Sequence, residues 1–185
     1  MSDALSLPDA PALANRVEDQ DPVSTQDTEE QFLRLHLVPE TNVFLPIQQV
    51  AEVLTIPANQ IVPIPHMPAC VMGVYNWRGE VLWMVDLGHL GGLIPYYQQT
   101  IRIAHTAVVL QVQDQASTQK NQTLGLVVDR VEDVEWCDPS VIQALTSTTM
   151  TSEMAPLLRG YWWKTDETML AVLEAKAIID KISKL

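Results

Sequence analysis

The residue types that could do chemistry are present, but their spacing argues against most of it. A zinc site needs His, Cys or carboxylate ligands at close, regular intervals. His36, His66, His89 and His105 are scattered, with no pair at helical spacing and no acid placed as a fellow ligand. His36 is expected to face outward on a strand. Gly91-Gly92 reads as a plain loop rather than a phosphate cradle, and no serine stands in a nucleophile elbow. Neither Cys70 nor Cys137 has a histidine nearby to activate it. Asp86 and Asp129 each end or interrupt an apolar strand and could be imagined as an acid–base pair, but a turn cap or an arginine partner is the expected role. No metal, no cofactor and no catalytic residue are therefore expected.

Recognition chemistry is better supported. Asn76-Trp77-Arg78-Gly79 lies between two β-rich runs within Gly73 to Leu87. Gly79 falls where a hairpin loop often needs positive φ, and the Asn76 side chain is suited to cap the turn. Such a turn presents a Trp and an Arg, two types enriched among interface anchors.

The elements that hold this turn read as mostly β. Residues 1–30 are rich in Asp, Ala, Pro and Gln without a sustained period, and predict a disordered acidic tail. Phe32 to Leu37 alternates as a half-buried strand, and Val43 to Ile47 returns, with Pro46 at an edge or at the strand's end. Val50, Val53 and Leu54 suit one helical face, although a continued strand fits as well. The prolines between Ile56 and Pro68 favour an extended path, and Pro68 to Met72 predicts one helical turn ending at Gly73.

After the central hairpin, Gly88 to Pro95 reads as loop and Thr106 to Gln113 as strand. Asp114 to Thr123 is a polar hairpin loop. Leu124 to Val131 reads as one returning strand that continues extended to Trp136, and Asp138 caps a helical turn. Leu157–Trp162 and Thr168–Leu173 are further strands. Ile178, Ile179, Ile182 and Leu185 form the apolar stripe of a closing helix. Trp136, Trp162 and Trp163 are expected in packing contacts.

Composition narrows the partners. Eleven Lys and Arg against 23 acids, and a net charge of -12, disfavour nucleic acid and anionic membrane surfaces. There is no signal-peptide pattern and no uncharged run of about 18 apolar residues. Two cysteines make no disulfide framework. The expected location is cytoplasmic and reducing.

These residues bear a resemblance. Gly73-Val74-Tyr75-Asn76-Trp77-Arg78-Gly79, followed by Val85-Asp86-Leu87, resembles the Gly-Val-x-Asn-x-Arg-Gly and Val-Asp-Leu motifs of CheW-like coupling proteins of bacterial chemosensory arrays. Leu124 to Val134 looks like that family's Gly-x-x-Val-Asp-x-Val-x-x-Val strand, and Leu158-Arg159-Gly160 with Met169 to Leu173 fits its late hairpin. The resemblance runs from Gln31 to Leu185. Trp77 stands where Leu is commoner. The abundance of Pro, Gln and Trp is similar to cyanobacterial members serving pilus motility and phototaxis.

The resemblance implies two small five-stranded β-barrels packed together over residues 31–185, with a C-terminal helix after the acidic tail. It implies a non-catalytic adaptor between a methyl-accepting chemoreceptor-like protein and the regulatory domain of a CheA-type histidine kinase. It places Arg78, with Asn76 and Gly79, in the receptor-contact region. From their position and type, Trp77, Val53 and Leu54 are expected to fill a groove beside them. The rival readings are a stand-alone paralogue of the kinase regulatory domain, and a small-molecule-binding barrel with Trp136, Trp162 and Trp163 around its pocket.

Overall fold

A computed structural model describes residues 29–113, 121–144, 150–165 and 168–185, except the side chains of Thr165 and Thr168. Nearly all of the expected tail, most of the polar loop at 114–123 and most of the Ser/Thr run lie outside these residues. Two curled sheets of five strands each make up the fold. The first joins β1 (Glu30–Leu37), β2 (Thr41–Pro46), β8 (Arg130–Cys137), β9 (Leu158–Thr165) and β10 (Thr168–Leu173) in the order β8-β1-β2-β10-β9. The second joins β3 (Val50–Pro57), β4 (Val71–Trp77), β5 (Glu80–Asp86), β6 (Ala104–Gln113) and β7 (Asn121–Val128) in the order β3-β6-β7-β5-β4. Two parallel pairings, β2 with β10 and β5 with β7, tie strands far apart in sequence.

Strand alternation sets where the core lies, because successive side chains point to opposite faces. In β1, Leu33, Leu35 and Leu37 belong to the cluster shared by both sheets, together with Val85, Leu110 and Leu126. On the opposite face Phe32 joins Phe44, Leu170 and Val172 inside the first barrel. Ile56, Leu82, Met84 and Val109 fill the second. Helix α2 (Ala175–Ile182) buries Ile178 and Ile179 in the shared cluster. Lys181, in its last turn, donates to the carbonyls of Glu153 at 2.8 Å and Leu90 at 3.3 Å. Leu185, expected on the apolar stripe, is exposed instead.

Two open readings are decided, the continued strand for Val50 to Leu54 and the strand's end for Pro46, and other local expectations are revised. Val50 to Pro57 is a strand entered through a 3-10 turn at Ile47–Gln49, so Val50, Val53 and Leu54 share no helical face. Pro46 ends β2, which lies inside the sheet. Gly73 is not a helix end: it sits within β4 at φ 142°, where the Val62–Val74 bridge brings backbone against it. Gly88 falls in a short helix, α1 (Leu87–Leu90), capped by Asp86. The expected strand from Leu124 to Val131 breaks at Asp129, where the chain passes from the second sheet to the first.

Candidate partner-binding site at the hairpin tip

β4 and β5 pair antiparallel from Val71↔Val85 to Trp77↔Glu80, leaving Arg78 and Gly79 as a two-residue loop. Both have positive φ, 54° and 86°, the requirement of a type I′ turn, whose twist matches that of the strands it joins. Asn76 fixes the loop: its Oδ1 accepts from the Gly79 N–H at 2.9 Å. Turn chemistry thus puts Arg78 at the tip. Its positive φ is uncommon for a residue bearing a Cβ.

A residue from another strand completes the site. Glu52 of β3 accepts through Oε2 from Trp77 Nε1 and from an Arg78 terminal nitrogen, each at 2.9 Å. The guanidinium carbon lies 5.0 Å from the Trp77 ring centroid, within cation–π range. The indole hydrogen bond, then the Arg78 charge, hold the Glu52 carboxyl below its usual range against the opposing effect of desolvation. β3 and β4 are the two edges of the second sheet, so this contact links its edges across the barrel opening. Arg78 remains two-thirds exposed, at 68% of its side chain. Its other N–H groups have no partner among the described residues.

Trp77 braces the tip. Its ring packs with Leu54 and Tyr75 against the core of the second barrel while its N–H is held. Val53 and Leu54 alternate: Leu54 faces inward and Val53 faces solvent. Asn76 pairs with Val81 and Val74 with Trp83 on the outward face of the hairpin. Val81 and Trp83 are exposed there, at 68% and 38%. Trp83 also borders an apolar cleft of about 550 Å³ beside Val85, Leu124, Ile179 and Ile182. Sequence reasoning missed Glu52, Val81 and Trp83. Glu, Leu and Ile at 52, 54 and 56 carried the strand signal that would have found the first.

Residues 31–183 match the family model of the CheW-like domain. The chain belongs to the CheW-like family. Among curated members, it is 40% identical over 72 residues to "Chemotaxis protein CheW" of Rhizobium meliloti, covering 39% of this chain and 40% of that one. It is 30% identical over 118 residues to "Probable chemotaxis protein CheW" of Rhizobium etli, covering 64% and 68%. The alignments thus span about two-fifths and two-thirds of those relatives. Its fold is similar to that of the scaffolding protein TtCheW from Thermoanaerobacter tengcongensis, with TM-score 0.63, 23% identity, and coverage of 78% of this chain and 88% of that one.

The remaining candidates lie elsewhere in this CheW-like fold. Asp86 caps: its carboxylate accepts from the His89 N–H at 3.1 Å and the Tyr96 N–H at 2.8 Å. Asp129 takes arginine partners, Arg102 and Arg130. His36 does not face outward. It is buried, with Nδ1 3.1 Å from Asn42 Oδ1 and Nε2 3.8 Å from Asp129. Of the three tryptophans expected in packing, only Trp162 packs, edge-on to Phe44 at 5.7 Å. Trp136 and Trp163 are exposed at 58% and 46%, and none of the three lines the cleft beside Trp83 or a smaller cleft near His105. Cys70 and Cys137 are free and buried. Among the described residues no helix is long and apolar enough to cross a membrane.

Proposed function

We propose that this chain is a non-catalytic cytoplasmic adaptor in chemosensory signalling, coupling a chemoreceptor-like partner to the regulatory domain of a CheA-type histidine kinase. The observation that carries this reading is the tip itself, in a chain of the CheW-like family. Arg78 is displayed at 68% exposure, yet its position is fixed by Glu52, Trp77 and the Asn76-capped turn. Beside it the outward strip of Val81 and Trp83 offers apolar area. A preorganised cation next to an apolar strip suits a transient signalling contact, since little freedom is lost when it docks. Whether the array answers to a chemical or to light is set by the receptor.

The test is recovery of partners from host lysate by the purified chain and by Arg78→Ala. A histidine kinase and a receptor-like coiled coil recovered by the wild type, with the receptor lost in a folded variant, is the expected result. Recovery of neither by the wild type removes the adaptor reading; undiminished receptor recovery by the variant removes Arg78 from the contact.

A further inference from the structure

The first barrel carries an exposed surface of its own, apart from the hairpin tip. Its edge strands β8 and β9 meet where Glu135 accepts from Lys164 and, at 3.3 Å, from Arg34. These groups lie on the inner strand faces: Glu135 pairs across from Phe32, and Lys164 shares its face with Trp162, which packs on Phe44. Successive side chains alternate, so the neighbours of Glu135 and Lys164 point outward. Trp136, Trp163 and Val134 are all exposed there. Two indoles thus flank one ion-paired seam, and tryptophan is among the side chains most enriched at interface anchors.

The chain itself supplies a segment to cover them. β1 begins at Glu30, which pairs with Cys137, and Gln31 pairs with Trp136. Residues 1–28 therefore join the fold beside this surface. They include Leu7-Pro8-Asp9-Ala10-Pro11-Ala12-Leu13, and a Pro-x-x-Pro spacing suits docking on aromatic side chains. Over the whole segment six carboxylates stand against one arginine, Arg16.

A cation waits near the same point. Arg159 of β9 is exposed and makes no hydrogen bond or ion pair among the described residues. Its charge acts on the Cys137 thiol, as do those of Glu29 and Glu30. Residues 14–28 separate the proline stretch from Glu29. At about 3.3 Å per residue they reach about 50 Å, enough to return over the seam. Such a tether gives an effective concentration of about a millimolar, so a contact too weak between separate molecules forms within one chain. Two copies, each at net charge -12, have no such advantage.

We propose that Leu7 to Leu13 docks in cis across the first-barrel seam, with its prolines against Trp136 and Trp163 and the Asp9 carboxylate toward Arg159. The segment screens both indoles, and any protein that uses them must displace it. This contact does not depend on the reading of the hairpin tip.

The test is a nitroxide on Ser6→Cys in the full chain, Cys70 and Cys137 being buried, read by NMR on the indole N–H resonances. Trp136 and Trp163 should broaden, and Trp83, exposed on the other barrel, should not. Replacing both Pro8 and Pro11 by Ser should abolish the broadening. Arg159→Glu should weaken the contact about threefold, the loss of one exposed ion pair. No broadening at the two indoles overturns the proposal. So does equal broadening in the double proline variant, since tethering alone then explains it. Broadening passed from nitroxide-bearing chains to isotope-labelled chains without nitroxide also overturns it, and marks a second copy as the occupant.

Discussion

Glu52 and Arg78 stand 26 positions apart, on an edge strand and on the hairpin opposite, and their side chains meet at 2.9 Å. The same carboxylate oxygen holds the Trp77 indole. The pair is solvent-facing, and exposed ion pairs contribute little to stability. Its value lies in holding Arg78 still. Arg78→Ala is expected to weaken receptor binding at least about tenfold, as truncation of an interface arginine does. Glu52→Ala leaves the cation in place but unpinned, and should weaken it by a smaller factor, about threefold. Calorimetry with a receptor cytoplasmic hairpin separates the two.

The same contact should survive mild acid. Glu52 titrates below its ordinary 4.5 in the folded chain. A depressed carboxylate stabilises the fold above its unfolded-state value and loses that contribution as pH falls through the lower folded value. The midpoint of the pH-dependent movement of the Trp77 indole N–H resonance should therefore fall below 4.5. Movement centred above 4.5 would contradict the arrangement.

Both thiols should be inert in the native chain. Burial, with the Asp138 charge behind it, pushes Cys137 up to about 11, and burial raises Cys70 as well. At pH 8 roughly a thousandth of Cys137 would be thiolate, the form that reacts. Iodoacetamide followed by mass spectrometry should find both cysteines unmodified in buffer and both alkylated in urea.

Two glycines of the central hairpin should differ sharply when replaced by alanine. At Gly73 a Cβ would collide with the Val62 carbonyl, and φ is 142°. Neither obstacle yields to a rotamer change, so Gly73→Ala should cost more than about 3 kcal/mol or prevent folding. At Gly79 nothing lies within 4 Å of the added carbon and only the positive φ resists. Gly79→Ala should cost about 1 kcal/mol. Urea denaturation midpoints check both.

What was legible in the sequence was local. Asn76 and Gly79 announced the turn because turn chemistry is settled within four residues, and Asp138 announced its cap for the same reason: its Oδ1 accepts from the Ser140 N–H at 2.8 Å. The helical stripe of Ile178, Ile179 and Ile182 was equally plain. Illegible were features created by sheet closure. Glu52 gains its role only when β3 comes opposite β4, and His36 is buried only because Asp129 arrives beside it. The break at Asp129 was hidden because apolar residues continue on both sides, from Leu126-Val127-Val128 to Val131. Trp136 and Trp163 misled because a large ring is usually buried, and here two are not.

The order of the strands has one more consequence. β3 to β7 form one barrel from continuous chain, whereas the other is assembled from β1 and β2 at one end of the sequence and β8 to β10 at the other. The second barrel is in effect an insertion within the first. During synthesis β1 and β2 wait for the other three strands of their sheet until the insertion has emerged. Such long-range pairing folds slowly, and the parallel pairing of β10 with β2 is what joins the β9–β10 hairpin to β8, β1 and β2. Unfolding should then run in reverse, the host barrel opening first and the inserted one surviving as the last ordered unit.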